Sequence, residues 1–407
     1  MTATGHMTVV DRCRICDNTE LLPVLDLGPQ ALTGVFPRSR DEDVPRVPLE
    51  LVRCSPGGCE LVQLRHTADF GLMYGEGYGY RSSLNRSMAD HLRGKVAALR
   101  GLVDLGPGDL AVDIGSNDGT LLAAYPTDGP ALVGVDPAAP VFAGTYPPGA
   151  ELIPDFFACD LLGGRRAKVV TSIAMFYDLP RPMEFMREVA RLLTDDGIWV
   201  TEQSYLPAML HSGAYDVVCH EHLDYYGLRQ IEWMAERTGL KVVQAELTPV
   251  YGGSLSVVLA RRGSPRQADE AALARIRAGE HDLPFKEFAR RTEESRDRLL
   301  EFLTASRDKG LRTLGYGAST KGNVLLQYCG LDETFLPCIA EVNQDKFGCC
   351  TPGTGIPIVS EEEARAMDPD QFLVLPWVYR DTMVARERDF LASGGHLVFP
   401  LPTLEVV

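Results

Sequence analysis

VDIGSNDGT occupies residues Val112 to Thr120, and a second apolar run, LVGVD, ends in Asp136. An apolar run that breaks into a Gly-rich turn is typical of the first strand of a doubly wound α/β domain, where the backbone approaches a ligand and a helix begins. A carboxylate at the end of the next strand can accept hydrogen bonds from both ribose hydroxyls. The two runs therefore predict a nucleotide-type pocket.

The spacing within the turn bears on the ligand. A dinucleotide fingerprint would read G-x-G-x-x-G, but Gly115 is followed by Ser116 and Asn117 rather than by a second glycine. Asp113 ends the first strand, where enzymes that use S-adenosylmethionine (SAM) carry an acid, and SAM has no pyrophosphate to bind. The turn favours SAM over NAD, with Asp136 on the ribose. A strand–helix turn without any ligand is the structural alternative.

The rest of the chain supports an α/β fold. Met183 to Leu193 has the apolar spacing of an amphipathic helix, Ser87 to Leu99 is a second predicted helix, and the charged stretch Ala268 to Asp308 predicts a helical connector between lobes. The predicted strands of the central domain are Ala111–Ile114, Ala131–Asp136, Val169–Ile173 and Gly197–Thr201, followed by the pair Lys241–Ala245 and Ser254–Ala260.

Composition limits the class of protein. The 407 residues are 45% apolar and 24% charged, which is ordinary for a globular chain of two or three domains. The net charge of −16 argues against a general nucleic-acid surface. We find neither a signal peptide nor an apolar run of the roughly 18 residues that a membrane helix needs. We therefore expect a cytoplasmic protein with no nucleic-acid or membrane partner and with an undetermined oligomeric state, possibly a monomer.

Four cysteines near the N-terminus have the spacing of metal ligands. Cys13 and Cys16 form a C-x2-C pair, and Cys54 and Cys59 bracket the tight loop Ser-Pro-Gly-Gly. Four thiolates suit a closed tetrahedral Zn2+ site that stabilises the fold and leaves no open position for catalysis. Disulfides are the alternative, which the absence of a secretory signal disfavours. We predict a structural zinc site in a small β-rich lobe.

A second α/β unit is predicted from Leu311. Its first run, LRTLGYGASTKGN, reads as a strand, a Gly-rich turn and a helix start, where Thr320 and Lys321 could hold a phosphate. The segment is not a Walker motif, because the Gly-Lys-Ser/Thr ending of that motif is absent. The alternative to a phosphate site is a Rossmann-like turn that packs tightly and binds no ligand. Further predicted strands are Leu336–Val342, Ile356–Val359, Phe372–Leu375 and His396–Pro400.

The densest polar chemistry lies in YDVVCHEHLDYYGL, residues 215–228. A His-x-His metal site, a structural cluster and an acid–base site all fit His220, Glu221 and His222. We favour acid–base chemistry because histidine changes charge near neutral pH, and the adjacent Glu221 could orient or proton-couple an imidazole. Tyrosines such as Tyr226 could stabilise negative charge on oxygen.

The segment MYGEGYGYRSSLNRS, residues 73–87, combines glycines with the rigid faces of Tyr74, Tyr78 and Tyr80. It predicts a lid over a pocket, with a packed surface loop as the alternative.

Several features, taken in order, extend over essentially the whole chain. They are the two cysteine pairs, YGYRSS, VDIGSNDGT, FYDLP, EQSYLPAML, YDVVCHEHLDYYGL, YGGSLSVV, GYGASTKGN and VNQDKFGCCTPGTGIPIVS. Together they resemble the sugar C-methyltransferases. The resemblance implies an α/β fold with three parts: a zinc-binding lobe (1–67), a central Rossmann-like SAM domain (68–265) and a C-terminal Rossmann-like domain (266–407). It also implies a dTDP-linked 4-keto-deoxyhexose as substrate, bound between the lobes, and methylation most often at the carbon next to the ketone, in the biosynthesis of branched antibiotic sugars.

The resemblance implies roles for individual residues. It implies that His222 is the base that forms an enolate and that Glu221 assists the proton transfer, with His220 as the alternative base. Cys219 occupies a position where some relatives have a tyrosine. The expected neighbours of substrate and cofactor are Tyr74, Tyr78, Tyr80, Arg81 and Tyr226 around the sugar, Thr320 and Lys321 at the diphosphate, and Asp113, Gly115, Ser116, Asn117, Asp136, Asp155, Phe156 and Phe157 around SAM.

Other functions fit parts of the pattern. Three of these functions are methylation at C-5 of the sugar, methylation of an oxygen or nitrogen atom, and a non-catalytic role as a scaffold. A fourth is an NAD-dependent sugar oxidoreductase that uses the turn at Gly315, because Glu341 follows at the distance expected for a ribose-binding acid.

Overall fold

The computed structural model describes residues 3, 4, 6–73 and 80–407. In this part of the chain the strands form four sheets, and no helix is long and apolar enough to cross a membrane. The helices are Phe70–Met73, Arg86–Leu102, Pro182–Leu192, Leu206–Ser212, Leu228–Thr238, Glu270–Ala278, Phe285–Asp308, Thr320–Tyr328, Glu361–Ala366, Arg380–Arg386 and Arg388–Ala392.

The central sheet has seven strands, and its order confirms the predicted alternation that finishes in an antiparallel pair. Only Ser254–Arg261 runs against its neighbours. From edge to edge the strands are Leu240–Thr248, Ser254–Arg261, Leu193–Ser204, Ala167–Ile173, Leu110–Ile114, Ala131–Val135 and Glu151–Ile153. Because the strands Leu110–Ile114 and Ala131–Val135 are parallel neighbours, the Gly115 turn and Asp136 meet at one edge of the sheet.

One local prediction about this turn is wrong. The α-helix that is expected to begin directly after the Gly115 turn does not form. The chain makes turns there, followed by a short 3-10 helix at Leu122–Ala124. Asn117 and Gly119 have φ of +49° and +75°, which are left-handed and incompatible with helix propagation. The side chain of Asp118 accepts hydrogen bonds from the amides of Thr120 at 3.3 Å and Ser83 at 2.9 Å, so the turn is held both by its own polar groups and by the segment at Ser83.

The N-terminal lobe is β-rich, as predicted. A three-stranded sheet joins Ala3–Thr4, Met7–Val9 and His66–Ala68. A four-stranded sheet has the strands Leu21–Ala31, Arg46–Cys54, Val62–Leu64 and, from the segment after the HEH residues, Asp224–Tyr225. This last strand lies far along the sequence, inside the predicted range 68–265. The lobe is therefore tied by backbone pairing to the central domain.

The connector differs from the prediction. It consists of two helices, and the longer one, Phe285–Asp308, buries Phe288, Leu299 and Leu303 in the same apolar cluster as the C-terminal domain. It therefore packs along one face rather than lying in solvent on all sides. The shorter helix, Glu270–Ala278, packs on the central domain beyond the predicted boundary at residue 266, because Leu273 and Ile276 join that domain's core.

The C-terminal domain is a second α/β sheet of six strands. From edge to edge they are Ile358–Ser360, Ile339–Glu341, Thr313–Tyr316, Gln371–Val374, His396–Phe399 and Glu405–Val406, and only the last is antiparallel. Helix Thr320–Tyr328 begins directly after the turn at Gly317, as predicted, and Ser319 caps it by accepting a hydrogen bond from Gly322.

Candidate active site

The four N-terminal cysteines converge. The ligand atoms of Cys13, Cys16, Cys54 and Cys59 all lie within 4.8 Å of one another, and none of the four forms a disulfide. Gly58 is required in the second loop, because a Cβ there would lie 2.4 Å from the sulfur of Cys54. Four convergent sulfurs in a closed, mostly buried site are the donor set that Zn2+ prefers.

This cysteine cluster is joined to the HEH segment by hydrogen bonds. The Gln230 side chain donates to the carbonyl of Cys59 at 3.0 Å, and the amide of Leu64 donates to the carbonyl of Leu223 at 2.8 Å. Arg14, between the first two cysteines, is buried and donates to the Leu64 carbonyl at 2.7 Å. The metal lobe therefore positions the residue that directly follows His222.

A cavity of about 920 Å³ lies where the three parts of the chain meet. Its walls include Gly34 and Phe36 of the N-terminal lobe, the Gly115 turn, the Glu221–His222 pair and the turn around Lys321. A cavity of this size is at the upper end of the range for small-molecule sites. The structure therefore brings both nucleotide-type turns and the HEH segment to a single space.

The first turn has the geometry predicted for a cofactor site. Gly115 has φ of +73°, and a Cβ on it would lie 2.8 Å from the side chain of Met175. Asp136 accepts the amides of Asn117 at 2.8 Å and Ala138 at 2.7 Å. A carboxylate offers about four lone-pair sites, so these two bonds leave acceptor capacity on Asp136.

Electrostatics at this turn favour a cationic ligand. Asp113 is buried and accepts a hydrogen bond from Thr171 at 2.6 Å. Burial raises the pKa of Asp113 to about 7 in spite of that bond, and the charge of Asp136 adds to the rise. Burial also raises the pKa of Asp136. A sulfonium near these carboxyl groups would stabilise their charged forms, whereas a pyrophosphate would be repelled.

Ser116 and Asn117 line the cavity, but their side chains bind protein groups. The Ser116 hydroxyl lies 2.8 Å from the hydroxyl of Tyr146. The Asn117 amide donates to the carbonyl of Tyr80 at 2.9 Å and its oxygen accepts the amide of Ser82 at 3.0 Å. Asn117 therefore fixes the chain that enters the cavity from Tyr80, a role that the sequence did not indicate.

The predicted adenine-flanking residues reach the cavity edge. Asp155, Phe156 and Phe157 all line it, and Phe156 is 57% exposed. Arg81 also lines the cavity and places its guanidinium 5.2 Å from the centre of the Phe142 ring. Tyr74 and Tyr78 lie outside the described residues.

His222 faces the cavity with a defined tautomer. Its Nδ1 lies 2.9 Å from the carbonyl oxygen of Val217, which can only accept, so Nδ1 carries the proton and Nε2 keeps a lone pair. The ring packs on Tyr177 with centroids 4.2 Å apart. Burial, followed by the charge of Lys321, lowers the pKa of His222 to about 3, so the imidazole is neutral at neutral pH.

Glu221 also lines the cavity. Its carboxylate packs on Gly34, where a Cβ would lie 2.1 Å from Oε1, and it accepts a hydrogen bond from Thr33 at 3.4 Å. Burial raises the pKa of Glu221. Gly34 is thus conformationally ordinary but sterically required, because the acid occupies the space beside it.

Two predicted site residues do not reach the cavity. His220 is 2% exposed, and its two nitrogens bind Thr33 and the carbonyl of Val47 at 3.0 Å. Tyr226 is fully buried, stacks on Phe176 at 5.2 Å and donates to Asp224 at 3.1 Å. Both side chains are therefore structural in this fold, because each is buried in the interior and hydrogen-bonded to protein groups.

Several cavity residues were missed by the sequence analysis. Tyr251 has φ of +55°, a costly conformation for a tyrosine, and its hydroxyl lies 3.0 Å from that of Tyr80. The Lys321 ammonium lies 5.4 Å from the centre of the Tyr251 ring. Asp216 and Trp377 also line the cavity. A tyrosine before two glycines in YGGS was a signal for Tyr251, whereas Trp377 comes from a segment without any motif.

The second turn repeats the hydrogen bonds of the first. Gly115 donates its N–H at 2.8 Å to the carbonyl that precedes Asp136, and Gly317 donates its N–H at 2.8 Å to the carbonyl that precedes Glu341. Glu341, like Asp136, accepts backbone amides of its own turn, one of them from Ala318 at 2.7 Å. Thr320 and Lys321 follow at the helix start and line the cavity.

Three family models match successive parts of the chain. They are described as a zinc-binding domain for residues 13–74, a methyltransferase domain for residues 85–245 and a C-methyltransferase C-terminal domain for residues 249–402. C-methyltransferase NovU of Streptomyces niveus is 32% identical over 410 aligned residues, which cover 98% of this chain and 97% of NovU.

Two solved structures are more distant. The mitomycin 7-O-methyltransferase MmcR is 20% identical, with a TM-score of 0.34, and the match covers 43% of this chain and 54% of MmcR. SAM-bound magnesium protoporphyrin IX methyltransferase from Synechocystis PCC 6803 is 14% identical, with a TM-score of 0.32, and the match covers 43% and 78% of the two chains. The family matches confirm SAM and structural zinc as the cofactors of this chain, and all four clustered cysteines lie within the zinc-binding match.

Proposed function

The chain belongs to the family of SAM-dependent C-methyltransferases, and from this premise we propose that it methylates a dTDP-linked 4-keto-deoxyhexose at C-3, next to the ketone, in the biosynthesis of a branched antibiotic sugar. The observation that carries the proposal is the lone pair on Nε2 of His222. It lies on the wall of a cavity that also receives the SAM turn and the helix start at Lys321.

His222 acts as the base. A carbon next to a ketone becomes a nucleophile when its proton is removed, and the neutral imidazole of His222 accepts that proton at Nε2 while Nδ1–H stays on the carbonyl of Val217. SAM supplies an electrophilic methyl group, whose bond to sulfur breaks as the new carbon–carbon bond forms. The cavity aligns the two partners, which contributes much of the rate.

The low pKa of His222 makes it a weak base in the empty cavity, and the charge of Lys321 is one of the causes. A diphosphate or a developing enolate beside Lys321 would compensate that positive charge. The pKa of His222 would then rise when substrate binds, so the base becomes stronger in the complex.

Glu221 assists this proton transfer. Burial raises the pKa of Glu221, so its carboxylate is more basic than that of an exposed glutamate. It is adjacent to the base along the chain and lines the same cavity.

The enolate oxygen needs hydrogen-bond donors, and tyrosines supply them. Tyr80 and Tyr251 meet hydroxyl to hydroxyl at 3.0 Å at the cavity wall, with the Lys321 ammonium over the ring of Tyr251. Cys219 lines the cavity where some relatives carry a tyrosine, so these two phenols take over the stabilisation of negative charge here. Tyr74 and Tyr78 stay candidates for the same role.

The diphosphate binds at the second turn. Thr320 and Lys321 begin the helix Thr320–Tyr328, whose N-terminal amides and dipole favour an anion. Arg81 also lines the cavity and supplies a second positive charge. Glu341 occupies the position that Asp136 has at the first turn, which suits a nucleoside sugar on this side of the cavity.

The test is incubation of the purified protein with SAM and a panel of dTDP-4-keto sugars, with the position of any new methyl group assigned by mass spectrometry and NMR. We expect a methyl at C-3 and deuterium exchange at that carbon in D2O before methylation. A methyl at C-5 would move the site of enolate formation to the other side of the ketone. Methylation of an oxygen or nitrogen, or no transfer to any keto sugar, would refute the proposal.

A further inference from the structure

Asp216 carries a carboxylate oxygen that the fold leaves without a partner. The residue lies in the turn Tyr215–Val217, is 1% exposed and lines the cavity. Its Oδ2 accepts a hydrogen bond from the indole N–H of Trp377 at 2.8 Å. No hydrogen bond of good geometry reaches its Oδ1 within residues 6–73 and 80–407, although the backbone amides of Asp216 and Val217 lie close enough to favour the charged carboxylate.

A buried acceptor without a donor is costly, and native proteins seldom retain one unless a ligand or an ordered water satisfies it. Here the surroundings hold the carboxyl in place. Trp377 comes from the C-terminal domain, whereas Asp216 belongs to the segment that leads into the HEH residues. Burial raises the pKa of Asp216, while the positive charge of Lys321 and the indole N–H favour its ionised form.

The position of Asp216 relates it to the reacting carbon. The carbonyl of Val217, the next residue, is the group that fixes the imidazole of His222 at 2.9 Å. Asp216 and His222 are thus two ends of one tight loop, and both line the same cavity. A sugar whose reacting carbon lay at the imidazole would bring the substituent on that carbon to a cavity wall that includes both residues.

We propose that Oδ1 of Asp216 accepts a hydrogen bond from a donor substituent at C-3 of the sugar, a hydroxyl or an ammonium, and so selects substrates that carry one. The inference rests on the proposed function, because it takes a 4-keto nucleotide sugar as the ligand. Asp216 is a specificity residue in this account, and Trp377 is the positioning residue that orients it.

The test compares three dTDP-4-keto-2,6-dideoxyhexoses that differ only at C-3, where they carry a hydroxyl, an amino group or hydrogen. The variant Asp216→Asn keeps the shape, but its amide oxygen must accept the Trp377 N–H, so its NH2 group replaces the acceptor. We expect kcat/KM to fall by about 10²-fold for the substrate whose C-3 donor is recognised and by less than about 3-fold for the 3-deoxy sugar. SAM affinity should not change.

Two further variants separate recognition from folding. Asp216→Ala removes the acceptor without adding a donor and should show the same selectivity. Asp224→Asn changes a buried aspartate that does not line the cavity, so any loss should be equal for all three sugars. A loss confined to the hydroxyl sugar or to the amino sugar identifies the donor and supports the proposal.

Equal losses for the three sugars with Asp216→Asn would overturn the role of Asp216 while leaving the proposed function intact. If the wild-type protein neither binds nor methylates any of the three, the proposed function itself fails, and the inference falls with it. Binding and methylation by the wild-type protein therefore distinguish a failure of the proposed function from a failure of the role given to Asp216.

Discussion

At the scale of the residue, the tautomer of His222 is set by one backbone carbonyl, that of Val217. Imidazole in the other tautomer would present an N–H to the cavity and could not accept a proton there. The role assigned to His222 thus depends on a hydrogen bond between residues five positions apart, which the tight turns between Tyr215 and His222 bring together.

We expect His222→Asn to lower turnover by about 10²-fold or more, because a general base contributes on this scale. SAM affinity should stay unchanged, and deuterium wash-in at the carbon next to the ketone should be lost. The matched control is His211→Asn, since His211 binds the carbonyl of Pro207 at 2.6 Å and does not line the cavity. Wild-type turnover in the His222 variant would contradict the assignment.

His220 gives a prediction about stability. Burial lowers its pKa to about 4 in the folded protein, from about 6.5 in the unfolded chain. As the pH falls below 6.5, the unfolded chain takes up a proton that the folded protein does not, so the wild type loses stability. At pH 5 this loss is about 2 kcal/mol.

The variant His220→Asn lacks this titration. Its destabilisation relative to wild type, measured by denaturant unfolding, should therefore shrink between pH 7 and pH 5. A difference in the free energy of unfolding that stays constant over this range would show that His220 titrates normally in the folded protein.

At the scale of the element, the helix Leu228–Thr238 begins at Gly227, which has no side chain to cap it. Glu280 supplies the cap from a distant segment and accepts the amides of Leu228 at 2.6 Å and Arg229 at 3.0 Å. Gly227 itself has no room for a Cβ, which would lie 2.9 Å from that carboxylate. The acid and the glycine therefore form one capping unit.

We expect Glu280→Ala to lower the free energy of unfolding by about 2 kcal/mol, because two buried amides lose their acceptor at the positive end of the helix dipole. The control is Glu236→Ala, near the other end of the same helix and exposed. Equal stability of the two variants, measured by thermal or denaturant unfolding, would show that water caps the helix as well as Glu280 does.

At the scale of the whole molecule, the zinc lobe is part of the active-site wall. It contributes Gly34, Phe36 and Phe70 to the cavity and pairs its sheet with Asp224–Tyr225, directly after the HEH residues. Structural zinc stabilises such a lobe by an amount comparable to its folding free energy. Loss of the metal should consequently affect the site as well as the lobe.

We expect about one zinc ion per chain to resist mild dialysis. A strong chelator should cause loss of structure together with loss of turnover, which circular dichroism and activity assays can follow in parallel. Cys54→Ser should have the same effect, whereas Cys159→Ser, outside the cluster, should retain metal. A metal-free protein with full structure would rule out a structural role for zinc.

Much of this architecture follows from local patterns. The apolar runs around Val112 and Asp136 predict neighbouring parallel strands, and the cysteine spacings predict a metal cluster, because both depend on interactions that are short in sequence or fixed by residue chemistry. The α-helix expected after Ile114 does not form, since the left-handed Asn117 and the polar bonds of Asp118 are decided by contact with Ser82 and Ser83.

The sequence alone determined that the four cysteines belong together and that the Gly115 turn and Asp136 follow neighbouring parallel strands, while the acid–base role of the HEH segment stays a prediction. Only the tertiary structure decided that His222 reaches the cavity while His220 and Tyr226 are buried away from it, and that Asp216 meets Trp377 from another domain. The physical reason is that residue type fixes what a side chain can do, whereas access to a ligand depends on which distant surfaces exclude water around it. Such packing has no signature in the spacing of residues along one segment.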